Sequence, residues 1–305
     1  MASTKETLIL TDWYHPGYKA GGPITSLYNL MRLIGTDLRP KVFTRNTDWY
    51  DPVPYDLKSD EWIQREGLET YYSSGNHFRK VIHAIRSAGV VYINGFYSIQ
   101  FNSGPLLHLL LFNRKPQVVL APRGMLGAHA LRLKPVRKQI LIGLLRVLGI
   151  QKRVLFHAAS ISEKEGIMKI YPRAEVEVVS NVPIEPNNGD LRASRINSLL
   201  SVGRISKVKN SLGLINLMTS FKDLNLLHIG SADDNQYESL CKSEAGNNVN
   251  FVNGANRDDI SKHLNESSFF ISMTTGENFG HAIIEALAQG CPVIISDQTP
   301  WNDLE

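Results

Sequence analysis

Two carboxylates eight positions apart, Glu277 and Glu285, frame the segment GENFGHAIIE. The apolar run FFIS at 269–272 reads as a strand, and the glycine-flanked stretch that follows reads as a loop. A helix over 281–289 and a strand over 293–296 complete the pattern. At such a junction the backbone N–H groups of Asn278, Phe279 and Gly280 meet the helix N-terminus, where unpaired donors and the helix dipole suit a phosphate. Carboxylates suit polyols, because each oxygen accepts hydrogen bonds from neighbouring hydroxyls. One glutamate then fits a sugar hydroxyl and the other a ribose. Two solvated surface glutamates would produce the same spacing, and both readings stand at this point.

Two further groups carry the same theme. In VGRISKVKN, Arg204 and Lys209 follow an apolar run at 199–202, placing two cations at the carboxyl edge of a strand, where α/β sheets bind ligands. They fit a diphosphate held without a metal, or ordinary solvated charge. In GYKAGGP, Gly21 and Gly22 follow the first strand and precede a helix. This loop is not GxGxxG, and the sequence places no acid where a dinucleotide ribose needs one, which disfavours a dehydrogenase. A glycine turn there either offers N–H groups to a phosphate or serves geometry alone. The adjacent acids Asp233 and Asp234 read as a helix cap, and no metal site is expected.

The elements that position these groups alternate between short apolar runs and helix-length segments, the pattern of a parallel α/β protein. Strands are expected at 8–10, 41–44, 90–94, 118–121, 154–157 and 176–179, with helices at 23–34, 78–88, 135–148 and 163–170. The stretch 46–74 reads as a long excursion outside the sheet. A second set follows, with strands at 199–202, 226–229, 250–252, 269–272 and 293–296. Its helices fall at 211–221, 236–243, 258–265 and 281–289. The turn-rich NVPIEPNNGD between the sets places a domain boundary there, giving domains 1–183 and 184–305. Two Rossmann-like sheets facing each other across a cleft is the expected architecture. The chain stops soon after a strand, so its C-terminal part is expected to be incomplete.

The bulk numbers describe a globular protein of 305 residues, 43% hydrophobic and 20% charged. Cys241 and Cys291 are far apart and lack metal-binding spacing, so reduced, buried thiols are expected. No secretory signal or membrane-spanning run is visible. The net charge of +4 conceals an asymmetry: +11 through Ser162 and −7 beyond it. Residues 70–162 hold 13 Lys and Arg and no acid at all. Such a field favours an anionic partner. The basic, amphipathic stretch 131–153 suits an anionic membrane surface or a polyprenol-phosphate-linked acceptor, or is a core-facing helix with a solvated basic face. Nucleic acid is not expected, since aromatic residues do not interleave with the basic run.

Taken together, the Gly21–Gly22 turn, Gly203-Arg204 with Lys209-Asn210, and the E-x7-E pattern of Glu277 and Glu285 resemble the retaining glycosyltransferase family four, of GT-B fold. The resemblance extends from the glycine loop almost to the end of the chain. It includes SEKE at 162–165 and VSNV at 179–182, where Ser180 and Val182 depart from the PNGV turn frequent in such proteins. It implies transfer of a sugar from a nucleotide-diphosphate sugar to a glycan or lipid-linked glycan, with retention and without metal or other cofactor. Arg204 and Lys209 would hold the diphosphate, aided by the amides of Asn278, Phe279 and Gly280 and by the Gly21–Gly22 loop. Glu277 would bind the transferred sugar and support charge near its anomeric carbon, and Glu285 would bind the ribose. Where the family often has a histidine in the cleft of the N-terminal domain, this chain instead shows APRGML after a strand; Arg123 is the candidate there, with His129 behind it. Catalysis, acceptor binding and structure are all open roles for Arg123. A bacterial polysaccharide-biosynthesis enzyme is implied, cytoplasmic or peripheral at the inner face of the cell membrane. A nucleotide-sugar epimerase and a non-catalytic nucleotide-sugar-binding protein are the alternatives.

Overall fold

The structure, a computed structural model, describes residues 6–34, 38, 40–127, 130–131, 135–183, 196–232, 234–277 and 279–301. The chain divides into two compact units, Met1–Val182 and Pro183–Glu305, each built on its own sheet.

In unit 1 the elements run β1 (Thr7–Thr11), α1 (Gly22–Ile34), β2 (Pro40–Arg45), β3 (Trp62–Arg65), β4 (Leu68–Ser73), α2 (His77–Ile85) and β5 (Val90–Asn94). There follow α3 (Ser103–Leu111), β6 (Gln117–Ala121), α4 (Pro135–Val147), α5 (Ile150–Arg153), β7 (Val154–Ala158), α6 (Ile161–Ile170) and β8 (Glu175–Val178). The sheet order is β3-β4-β2-β1-β5-β6-β7-β8. All neighbours are parallel except β3 and β4. Because strand side chains alternate between faces, β1 feeds two cores. Leu8 and Leu10 pack with Val81, Leu109, Leu145 and Ile167 of α2, α3, α4 and α6. Ile9 packs on the other face with Leu27 and Met31 of α1. Helices on both faces explain why the strands are nearly continuous apolar runs.

The stretch 46–74 is not an excursion: it supplies β3 and β4, so the sheet has eight strands where six were expected. β4 pairs in parallel with β2, placing Lys41 opposite Glu69. Glu66 and Gly67, both with positive φ, turn the chain back between β3 and β4. That is the backbone a two-residue hairpin turn requires. The pair escapes a hydrophobicity reading because β3, at the sheet edge, buries no residue and carries two charged or amide side chains in four. Helix α3 was not anticipated either.

Unit 2 runs β9 (Ile196–Val202), α7 (Ser211–Met218), β10 (Asn225–Ile229), α8 (Asn235–Glu244) and β11 (Val249–Val252). It continues with α9 (Arg257–Glu266), β12 (Ser267–Ser272), α10 (His281–Ala288) and β13 (Val293–Ile295). The order is β11-β10-β9-β12-β13, all parallel. Leu199 and Ile271 pack toward Leu214 and Cys241 of α7 and α8. Leu200 and Phe270 pack the other way, toward Leu264 and Ile283 of α9 and α10. Both cysteines are buried thiols, neither in a disulfide. Asp234 caps α8 by accepting from Gln236 N at 2.9 Å, and Asn256 caps α9 from Asp259 N at 2.9 Å. Asp233 lies outside the described residues, as does most of the expected linker.

Strand order reverses direction in each unit, between β1 and β5 in the first and between β9 and β12 in the second. Loops leaving the carboxyl ends of two such strands diverge to opposite faces, and the crevice between them is where doubly wound sheets take ligands.

Candidate functional site

In unit 2 the reversal point brings two sequence-predicted groups together. The loop after β9 carries Arg204 and Lys209; the loop after β12 carries Glu277. Lys209 Nζ donates to a Glu277 carboxylate oxygen, joining the two loops by an ion pair that is about three-quarters buried or more on either side. The lysine stem runs over Gly203, its Cε only 3.5 Å from where a Cβ there would stand. Arg204 is exposed at the same strand end.

The backbone holds these loops in place. Val208 O accepts from Thr275 N at 2.8 Å and lies 3.1 Å from the hydroxyls of Thr274 and Thr275. Ser296, just past β13, donates to Thr274 O at 2.6 Å. Thr274, Thr275 and the Val208 carbonyl were not picked out from sequence. Their signal was available in the Thr-Thr pair between a strand and a glycine, since threonine hydroxyls bond nearby backbone. At the strand ends Gly230 lies so close to Gly203 that a Cβ on it would stand 2.0 Å from Gly203 O.

Gly280 caps α10 with φ +79°, a left-handed conformation that side chains with a Cβ rarely adopt. A Cβ there would also meet Ile283 Cδ1 at 3.0 Å and Glu277 Cγ at 3.2 Å. Phe279 is buried, its ring 5.3 Å from that of Trp301 in a near-perpendicular arrangement. Trp301 Nε1–H donates to Phe279 O, a pin on the loop that the sequence reading missed. Asn278 lies outside the described residues.

Glu285 sits in the second turn of α10. Burial pushes its carboxyl up to about 7, against a smaller opposing pull from Arg257. Deeper in the same sheet, burial lowers His228 to about 4, so it is neutral.

In unit 1, Arg123 follows β6 with φ +54° and is built into a network. Its Nε donates to Asn94 Oδ1 at 2.7 Å, one Nη to Tyr92 Oη at 2.9 Å and the other to Asn181 Oδ1. Tyr92 Oη in turn lies 2.7 Å from His157 Nδ1, while His157 Nε2 is 2.8 Å from Val179 O. Because a carbonyl only accepts, Nε2 carries the proton and Nδ1 accepts from the tyrosine. Burial foremost, then Arg123, holds His157 below the usual histidine range. The next residue, Gly124, donates its N–H to buried Glu163, which also accepts from Ala159 N at 2.7 Å. His129 lies outside the described residues.

The glycine loop of unit 1 is anchored by buried Asp48, whose Oδ2 accepts from Tyr18 N at 2.8 Å and Lys19 N at 3.1 Å. Gly21, with φ +69° and open space around it, leads into Gly22 and α1. Beside it at the reversal point, buried Asp12 accepts from Arg45 and from Ser98 Oγ at 2.8 Å. Burial raises the Asp12 carboxyl, opposed by Arg45 and the Ser98 bond. The Arg45 guanidinium lies 5.0 Å from the Trp13 ring and 5.1 Å from that of Phe101.

Comparison with known proteins places these sites in a fold. Residues 190–303, all within unit 2, match the family "Glycosyl transferases group 1". No curated protein sequence matches the chain. Among solved structures, sucrose-phosphate synthase from Thermosynechococcus elongatus is similar with TM-score 0.69 and 17% identity, over 98% of this chain and 83% of that one. An α,α-trehalose-phosphate synthase (UDP-forming) from Burkholderia xenovorans, in complex with glucose-6-phosphate, gives TM-score 0.68 and 10% identity, over 96% and 86%. WaaG, a glycosyltransferase involved in lipopolysaccharide biosynthesis, gives 0.61 and 16%, over 98% and 83%. At these identities the likeness establishes architecture: the two Rossmann-like units are those of the GT-B fold.

Proposed function

We propose that this chain is a glycosyltransferase that takes a sugar from a nucleotide-diphosphate sugar and passes it, with retention, to a glycan or polyprenol-phosphate-linked acceptor. The observation that carries the reading is the Lys209–Glu277 pair, which joins the two loops at the reversal point of unit 2. A cation and a carboxylate side by side suit the junction between a donor's phosphate and its sugar. Lys209 has three N–H groups, of which one serves Glu277, so phosphate oxygens can share the ammonium. Arg204 supplies a second cation, and the amides of Phe279 and Gly280, just ahead of α10, would serve as donors near the positive end of the helix dipole, a role assigned also to Asn278 from its place in the sequence.

In this reading Glu277 accepts from the sugar's hydroxyls and stabilises positive charge as the glycosidic bond lengthens, while Glu285 accepts from the ribose diol. The departing diphosphate gains charge as the bond breaks. Fixed cations and amides aimed at that charge are the main source of rate. The diphosphate's growing charge is met by Arg204 and Lys209 in place of a metal. To the Gly21–Gly22 turn of unit 1 we assign the binding of an anionic oxygen through backbone N–H groups. Arg123 is assigned a positioning role, since its nitrogens already hold Asn94, Tyr92 and Asn181.

The test is thermal denaturation against a panel of UDP-, GDP-, ADP- and CMP-sugars, UDP-sugars first because a similar structure is UDP-forming. A donor at a hundred times its Kd stabilises the folded state by about 2.7 kcal/mol. Transfer products are then read for anomeric configuration by NMR. A shift with none of the panel, or a product that is an epimerised donor, removes the proposal.

A further inference from the structure

Helix α4 is apolar on two faces. Its inner side places Leu145 in the unit 1 core, with Leu141 and Ile142 packed against it. Its outer side presents Val136, Ile140, Leu144 and Val147, exposed by 67, 66, 45 and 85%. These four recur at helical spacing and line one stripe. A helix at the surface of a soluble domain ordinarily turns polar residues outward, so the stripe needs a partner.

Cations border it. Arg137 and Arg146 are exposed on α4 itself. At the end of α3, on the same sheet face, Phe112 is exposed beside exposed Arg114 and Lys115. Arg153 of α5 donates to Arg114 O at 3.2 Å, which ties the end of α3 to the segment following α4. The enclosing sequence, 70–162, has 13 Lys and Arg and no acidic residue.

We infer that α4 and the end of α3 form a docking surface for an anionic lipid bilayer, with the apolar stripe entering the acyl boundary and the flanking cations meeting lipid phosphates. Charge selects this occupant over a second copy of the chain, because self-contact would bring together two copies of a stretch that carries 13 Lys and Arg and no acid. Nucleic acid would satisfy the cations and leave the apolar stripe in water. With 13 residues, α4 is about 20 Å long, short of the ~30 Å hydrocarbon core, so it lies along the interface. Among the described residues no helix is long and apolar enough to cross a membrane. This surface is independent of the donor chemistry assigned to unit 2.

The experiment is vesicle flotation of the full chain with phosphatidylcholine alone and with phosphatidylcholine mixed with phosphatidylglycerol. Binding to the mixed vesicles is expected to exceed neutral binding by about tenfold or more. It should fall as salt shortens the screening length from about 10 Å to about 3 Å. The double substitution Ile140→Ser/Val147→Ser is expected to weaken vesicle binding about tenfold, and Arg137→Gln about fivefold. Both change exposed side chains; thermal unfolding alongside verifies the fold, and Ile140→Gln alone serves as the milder variant. Equal binding to both vesicle types, or none to either, overturns the inference. So does concentration-dependent dimerisation in light scattering that Ile140→Ser/Val147→Ser abolishes, which would make the stripe a contact between copies.

Discussion

Lys209 and Glu277 are 68 positions apart and meet at the point where the strands of unit 2 change direction, the ammonium donating to the carboxylate. The bond couples the loop that would hold phosphate to the loop that would hold sugar. Charge-assisted hydrogen bonds are shorter and stronger than neutral ones, so the pair sets the spacing of its two loops before any ligand arrives.

Glu277→Gln is expected to lower kcat about a hundredfold or more while changing nucleotide affinity less than about threefold. The amide keeps shape and loses the charge that opposes the developing cation. Single-turnover kinetics beside calorimetry make the check, and near-normal kcat would remove the role given to Glu277.

Lys209→Ala and Arg204→Ala should each weaken diphosphate binding about tenfold or more. In a double-mutant cycle, Lys209→Ala and Glu277→Gln should be non-additive for stability, as residues in direct contact are. Additive losses would mean that the pair contributes nothing in solution.

Glu285 makes stability and binding depend on pH in opposite ways. Its folded value near 7 stands above the ordinary carboxyl value of 4.5, so the folded state holds the proton more tightly. Its stabilising contribution is full below about 4.5 and is lost as pH rises through about 7. Glu285→Gln should therefore gain stability relative to the parent chain as pH rises through that window. A ribose diol donates to the ionised form, so nucleotide affinity of the parent should rise through about pH 7 and that of Glu285→Gln should stay flat. Parallel titration curves for the two proteins would exclude Glu285 from the ribose site.

Gly280→Ala should destabilise by about 1–2 kcal/mol, because φ is positive there and the added methyl meets Ile283 and Glu277. Trp301→Phe keeps the ring contact with Phe279 and removes the N–H to its carbonyl, for about 1 kcal/mol. Urea unfolding measures both, and a neutral Gly280→Ala would show that the loop adopts another backbone.

Arg123→Met should cost about 1–3 kcal/mol, since it leaves the buried oxygens of Asn94 and Asn181 without their donor. It should also raise the His157 pKa by removing a nearby positive charge. That histidine sits below its ordinary value of 6.5, so its neutral form stabilises the fold above that pH and the contribution is lost as pH falls. NMR titration of His157 separates this from a general loss of structure.

Periodicity in the chain alone determined the alternation of strands and helices, because parallel strands covered on both faces leave near-continuous apolar runs such as TLILT and helices leave a 3.6-residue repeat. Spacing alone placed Arg204, Lys209, Glu277 and Glu285 at strand ends or on the helix that follows. The hairpin of β3 and β4 was not legible in that way: the edge strand β3 buries no residue, and the buried positions of β4, in LETYYS, include the polar Thr70 and Ser73. Only the tertiary structure decided that Lys209 bonds Glu277, that the Val208 carbonyl gathers Thr274 and Thr275, and that Arg123 is held by Tyr92, Asn94 and Asn181. Those partners are separated by 29 to 68 positions and meet because parallel strands bring the loops at their carboxyl ends to one edge. A linear pattern records which face a residue prefers; which strands become neighbours is settled by packing the whole sheet.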